Sequence, residues 1–166
     1  MKFMSKLQKK RDELKKDNNG FSLVELIIVI AIMAILVGIV GTQVIPYINK
    51  SKEAKDYQVV SSYSTAAVTA YSSNVAKLTT TGTTIDFDVY DSSIDENSTG
   101  DTAVLVNAIR ELTYSTSAEA KNKFKSKKGD KFKTIKVHYD FTKKVVSAQA
   151  FDTSNNPMLD AAVSDM

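Results

Sequence analysis

The N-terminal part of the chain contains one long apolar run. From residue 21 to residue 45 most positions are Leu, Ile, Val, Ala, Met or Gly, and Glu25 is the only charged residue. At about 1.5 Å per residue, a helix of this length covers roughly 37 Å, and the hydrocarbon core of a membrane is about 30 Å thick. The run therefore predicts a helix that can span a membrane.

The same helix is predicted to continue beyond the run as an amphipathic segment, 46–78. Its apolar and aromatic residues recur every three or four positions, which is the spacing of one buried helix face. They are Ile48, Val60, Tyr63, Ala67, Tyr71, Asn74 or Val75, and Leu78. Charged residues concentrate over 50–56, where the chain is expected to leave the membrane. We expect one helix from about residue 21 to about residue 77.

Alternating apolar residues predict strands in the remaining segment, 79–166, which is the predicted globular head. Residues 85–90 suggest a short half-buried strand, and 133–140 with 144–152 suggest an antiparallel hairpin. One face of the first hairpin strand carries Ile135, Val137 and Tyr139. The fold class is therefore α+β, with a long N-terminal helix packed on a small antiparallel sheet.

Two short helices are predicted within the head. The first runs from residue 103 to about 112, with Asp101 or Thr102 as its cap. Its expected buried face consists of Val104, Ala108 and Leu112. The second covers 117–127, and the tail 153–166 has the composition of a loop.

Charge separates the first twenty residues from the rest of the chain. They contain seven Lys or Arg against three acids, which leaves 15 of the 22 basic and 16 of the 19 acidic residues for 21–166. A basic flank stays in the cytoplasm under the positive-inside rule, so the C-terminal part is directed outward. Because the remainder is close to neutral, nucleic acid is not an expected partner.

The basic segment meets the apolar run between Gly20 and Phe21. An ordinary signal peptide is cut after its apolar stretch at small residues, and no clear A-x-A site precedes Ala66. A plain membrane anchor leaves Glu25 unexplained, since an acid in hydrocarbon costs on the order of 3 kcal/mol. Glu25 is therefore expected to have a partner.

Residues 20–25 read Gly-Phe-Ser-Leu-Val-Glu and are followed directly by the apolar run. Together they resemble the class III signal and N-terminal helix of type IV prepilins. The resemblance implies that prepilin peptidase removes residues 1–20 by cutting between Gly20 and Phe21, and that it methylates the new Phe21 amine. It also implies polymerisation into a surface filament, a type IV pilus for adhesion, motility or aggregation. The implied partners are the peptidase, copies of the same chain, an assembly platform and an assembly ATPase. The protein is expected to be a single-pass membrane protein before assembly and an extracellular pilus afterwards.

Cleavage would create the charge that gives Glu25 a physical role. The Phe21 amine is a cation at a helix N-terminus, where the positive end of the helix dipole favours an acid. Glu25, one turn along, can neutralise the amine of its own chain or of a neighbouring subunit. Because an unpaired buried charge is strongly destabilising, pairing between subunits with Phe21 would reward the correct register. The two roles are compatible.

Gly38, Gly41 and Pro46 predict a kink in the helix. Pro46 cannot donate a hydrogen bond to the Thr42 carbonyl, and its ring crowds that turn. The resemblance implies that this region stretches or melts in the filament.

Other chemistry has little support in the sequence. His138 is the only histidine and there is no cysteine, which leaves no zinc site and no disulfide. Neither the acids over 86–101 nor those over 152–160 have the spacing of an EF-hand, so no metal or other cofactor is expected. The chain is expected to be a structural protein and not an enzyme.

Alternatives remain for the class of protein and for the role of two charged clusters. The chain can instead be the major pseudopilin of a type II secretion or competence system, or a membrane-anchored extracellular binding protein that does not polymerise. Six acids over 86–101 and eight lysines over 121–136 either form two solvated faces or meet between subunits and set lateral register.

Overall fold

The computed structural model describes residues 21–79 and 82–166, and the chain divides into two compact units, Met1–Pro46 and Tyr47–Met166. The predicted long helix is confirmed, because helical residues run from Leu23 to Lys77. Its first part is α1, Leu23–Ile39, in which no residue is buried. A π-helical turn, Val40–Val44, follows α1.

The second part of the helix, α2 (Ile45–Asn74), ends in a short 3-10 turn, Val75–Lys77. The predicted apolar stripe is confirmed at Val60, Tyr63 and Ala67, which are buried, whereas Ile48 and Val75 are exposed. Tyr71 and Leu78 are half-buried at the margin of the core. Small residues contribute much of this face, since Ser64, Ala66 and Ala70 are also buried.

The sheet has four antiparallel strands in the order of the chain. They are β1 (Thr84–Asp88), β2 (Phe132–Asp140), β3 (Val145–Asp152) and β4 (Ala162–Asp165). The predicted hairpin is confirmed as β2 and β3, with Asp140 opposite Val145. Ile135, Val137 and Tyr139 are all buried, and the Tyr139 hydroxyl donates to the Ala67 carbonyl of α2 at 2.7 Å.

The prediction that residues 153–166 are only a loop was wrong, because β4 pairs with β3 along its whole length. Its inward-facing positions are Ala162, which is buried, and Ser164, whose hydroxyl lies 2.8 Å from that of Ser64. A small residue and a polar one give no apolar alternation, so the pattern that identifies a strand is missing from the sequence.

The first short helix is α3, Asp101–Leu112, and its predicted cap and face were wrong. Its N-cap is Gly100, with φ of 104°, and the Asp101 carboxylate accepts from the backbone N–H of Thr79 at 2.9 Å. The buried residues are Ala103, Leu105, Val106 and Ile109. The predicted face and the observed face both have the spacing of one helix side. The observed face, which contains the larger Leu105 and Ile109 side chains, is the buried one.

The second short helix, α4, is confined to Ser117–Lys121 and does not reach residue 127 as predicted. Beyond it, the backbone N–H groups of Lys125 and Ser126 donate to the Asp56 carboxylate of α2 at 2.6 and 3.1 Å. Asp56 is 0% exposed. A helix cannot continue through residues whose N–H groups are bound by another element, so Asp56 fixes this segment in a non-helical conformation against α2.

A tyrosine cluster ties the 88–91 turn and the end of α3 to α2. The Tyr63 and Tyr90 hydroxyls lie 2.5 Å apart, and Tyr90 donates to the Tyr114 carbonyl at 3.0 Å. Burial raises the pKa of Tyr90 to about 12, so the cluster is neutral at physiological pH. Arg110 completes this region by donating to the carbonyls of Val89, Asp91 and Ile94.

Asp56→Ala is expected to destabilise the head by roughly 2–4 kcal/mol, because two backbone donors lose their acceptor. Urea unfolding of the full chain in detergent, followed by the near-ultraviolet circular dichroism of its tyrosines, measures the loss. Glu53→Gln is the matched control one turn away. It breaks only the exposed Lys128–Glu53 pair, which is expected to contribute less than about 1 kcal/mol. Equal midpoints for Asp56→Ala and the parent would contradict the role of Asp56.

Candidate assembly site

The N-terminus of α1 is closed by a reciprocal capping box formed by Ser22 and Glu25. The Ser22 hydroxyl accepts from the Val24 N–H at 3.3 Å, and Glu25 Oε2 accepts from the Ser22 N–H at 2.8 Å. Both interactions satisfy backbone donors that have no partner within the helix. The acid that is unexpected in an apolar run is thus fixed at the positive end of the helix.

Of the residues predicted for processing and modification, the structure describes Phe21, which lies at this helix end. Phe21 directly precedes the capping residue, and its side chain is 87% exposed. Gly20 lies outside the described residues. The Glu25 side chain is also exposed, and a carboxylate has about four acceptor positions, so the Ser22 bond leaves capacity for another donor.

The apolar surface of the first unit is continuous and uncovered. Large apolar side chains from Phe21 through Ile45 are at least 41% exposed, and α1 buries none of its residues. The helix contains a stretch that is long and apolar enough to cross a membrane. A surface of this kind exceeds what soluble monomers leave in water, so it requires lipid or a protein partner.

The predicted kink region contains a π-helical turn that the sequence reasoning missed. The Ile45 N–H donates to the Val40 carbonyl, five residues back, and the Thr42 hydroxyl donates to the Gly38 carbonyl at 3.0 Å. Pro46, the second residue of α2, has no N–H. The available signal was this proline one turn after Thr42, because proline interrupts the helical hydrogen-bond ladder. The kink itself at Gly38, Gly41 and Pro46 stays a prediction.

In the head, several acids of the 86–101 cluster stabilise turns. Asp91 accepts from the Ser93 N–H and hydroxyl, both at 2.8 Å, and Asp95 accepts from the Asn97 N–H and the Ser98 hydroxyl. Hydrogen bonds from Ser93 and Ser98, respectively, are the main reason that the pKa values of Asp91 and Asp95 are lowered. These acids are ionised and exposed, and whether they meet lysines of another subunit stays a prediction.

The sheet face opposite α2 carries an open cleft of about 540 Å³. Within it His138 Nδ1 lies 2.6 Å from Asp86 Oδ1, and Ser147 is opposite His138 on β3. The order Asp, His, Ser resembles a catalytic triad, but the described residues show no hydrogen bond between Ser147 and His138. With side chains 69% and 42% exposed, Asp86 and His138 form a surface pair. No group of three or more His, Asp or Glu within 21–79 and 82–166 could hold a metal.

Comparison with known proteins identifies the N-terminal segment. Residues 15–41 match the family described as the prokaryotic N-terminal methylation motif. Neither the curated proteins nor the solved structures contained a match to the chain.

The matched segment includes the Gly20–Phe21 junction, the capping box and all of α1. It is followed by a helix that reaches Lys77 and by a four-stranded antiparallel sheet packed on the second part of that helix. The chain is therefore a type IV pilin-like protein, of the pilin and pseudopilin family whose members are processed by prepilin peptidase.

Proposed function

We propose that this protein is the structural subunit of a type IV pilus, cleaved after Gly20, N-methylated at Phe21 and polymerised through its 21–45 helix. The observation that carries the proposal is the exposed apolar surface of α1, which lies within the matched methylation motif. Lipid covers that surface before assembly, and the corresponding helices of other copies cover it afterwards. The head then forms the outer surface of the filament, where it can serve adhesion, motility or aggregation.

Glu25 aligns the subunits in this proposal. Its carboxylate is held at the helix end by the Ser22 N–H, and removal of residues 1–20 places the Phe21 amine of each copy at the same end. A neighbour's amine can bind the remaining acceptor positions of Glu25 without breaking the cap. A slipped register would leave both charges unpaired in an apolar bundle, which is strongly destabilising.

Removal of the leader leaves 146 residues, most of them in a head with a four-stranded sheet. A head of this size can cover a filament surface, which favours a major pilin over a secretion-system pseudopilin. The partners are other copies of the chain, prepilin peptidase, a membrane platform and a cytoplasmic assembly ATPase. The helix can stretch at Gly38, Gly41 and Pro46 when it leaves the bilayer.

Material sheared from the cell surface is expected to contain a chain that begins at N-methylated Phe21 and sediments as filaments. Intact-mass measurement and N-terminal analysis of the sheared fraction test both features together. A chain that keeps Met1, or one cut beyond Ile45, would rule out the pilus proposal, because neither product presents an exposed Phe21 amine on an intact apolar helix.

Glu25→Gln is expected to leave cleavage intact while it reduces surface filaments at least about tenfold, since the amide cannot neutralise the neighbouring amine. The amide still offers an oxygen to the Ser22 N–H, so the helix cap is retained. Ser22→Ala is the matched control, because it weakens the cap by about 1 kcal/mol and keeps the carboxylate. Immunoblots of sheared and cell-bound fractions give the ratio of filament to processed subunit. Normal filament yield from Glu25→Gln would refute the pairing.

A further inference from the structure

The polar groups between residues 21 and 46 are few, and nearly all have a partner within the chain. Ser22 and Glu25 cap α1, and the Thr42 hydroxyl bonds the Gly38 carbonyl. The remaining polar side chain is Gln43, the single side-chain amide of this segment. Gln43 is exposed, and the described residues show no hydrogen bond from it. A carboxamide with two donors is therefore presented to the surroundings of an apolar helix.

One backbone acceptor in the same turn has lost its helical donors. In an α-helix the Gly41 carbonyl would receive the Ile45 N–H, but that group donates to the Val40 carbonyl instead. The next residue at π spacing is Pro46, which has no N–H. Gly41 also carries no side chain, and apart from the local backbone of its own helix nothing lies within 4 Å of the position that its Cβ would occupy. Gly41 is exposed, and its carbonyl has neither the Ile45 N–H nor an N–H of Pro46 as a donor.

The Gln43 amide cannot satisfy this carbonyl within one chain. Successive helical residues are about 100° apart, so Gly41 and Gln43 lie on nearly opposite sides of the helix. Each copy therefore has an acceptor on one side and a donor on the other, about 3 Å apart in height. A contact between different surfaces of identical subunits repeats from copy to copy and generates an open helical assembly where the rotation between copies does not close into a ring.

We propose that Gln43 of one subunit donates its side-chain amide to the Gly41 carbonyl of a second copy of this chain, and that this bond is a polar contact between neighbouring helices. The inference rests on the proposed function. A neighbour displaced by less than about one turn, as the Glu25–Phe21 pairing requires, keeps its Gln43 within reach of that carbonyl.

The environment of this turn changes on assembly in a way that requires the contact. Gly41 lies about 30 Å along the helix from Phe21, which corresponds to the far boundary of the hydrocarbon core. Water at that boundary can bond the carbonyl of an unassembled chain. Once other helices exclude the water, an unpaired backbone carbonyl is costly, and a donor from the neighbour removes that cost.

The test compares Gln43→Leu, which removes the amide at similar size, with Gln43→Asn, which keeps it on a shorter side chain. Thr42→Val is the matched control, because the Thr42 hydroxyl bonds its own helix. The readout is the ratio of sheared filament to processed chain that begins at Phe21. We expect about a tenfold or larger loss for Gln43→Leu, an intermediate yield for Gln43→Asn, and a nearly unchanged yield for Thr42→Val. Normal assembly of Gln43→Leu, or equal defects in Gln43→Leu and Gln43→Asn, would overturn the proposal.

Pro46→Ala provides an independent check. Alanine supplies the missing N–H, so the α-helical ladder can reform and the Ile45 N–H can return to the Gly41 carbonyl. Gln43→Leu is then expected to cause no further loss in the Pro46→Ala background, whereas an undiminished effect there would contradict the Gly41 acceptor. Filament formation by the wild-type chain distinguishes a failure of the pilus proposal from a failure of the Gln43 contact. If that chain forms no filaments, the pilus proposal fails; if it forms them and Gln43→Leu does too, only the Gln43 contact fails.

Discussion

The structure depends on one constraint, which is that α1 has no buried face. A helix with apolar side chains all around and no buried residue cannot remain in water. In the proposed function its two environments, the hydrocarbon core of a bilayer and a bundle of like helices, both exclude water. Every polar group in this segment must therefore find a partner in the chain or in a neighbour. Glu25, Thr42, Gln43 and the carbonyls near Pro46 all take their significance from this requirement.

The second unit, Tyr47–Met166, follows the opposite rule, because its polar groups are used to join elements. Asp56 is buried and is satisfied by two backbone N–H groups of the segment after α4. Arg110 bonds three carbonyls of the turn after β1, and Tyr139 bonds the carbonyl of Ala67. Without cysteine, such contacts replace covalent cross-links. The C-terminal strand β4 is likewise held by its pairing with β3 and by the contact between Ser164 and Ser64.

The sequence was sufficient where burial alone decides the structure. The apolar run, the stripe containing Val60, Tyr63 and Ala67, and the β2–β3 hairpin all have periodicities that match their environments. The sequence was insufficient where the contacts of polar groups decide the structure. Asp56 was interpreted as part of the charged exit from the membrane, because no local pattern shows that Lys125 and Ser126, about seventy positions later, will donate to it. The prediction of the buried face of α3 was wrong for a related reason, since two candidate faces share one helical period.

At the candidate assembly site the sequence indicated the residues but not how they are bonded. Glu25 was identified from its cost in hydrocarbon, whereas the capping box with Ser22 is visible only in the structure. The observed cap is compatible with the proposed intersubunit contact, because the two can use different acceptor positions of one carboxylate. Pro46 likewise predicted a disturbed helix, yet the disturbance in the structure is a π turn that shifts the Ile45 N–H to the Val40 carbonyl. That shift takes the Ile45 N–H away from the Gly41 carbonyl, and the proposed contact with Gln43 of a neighbouring helix supplies a donor in its place.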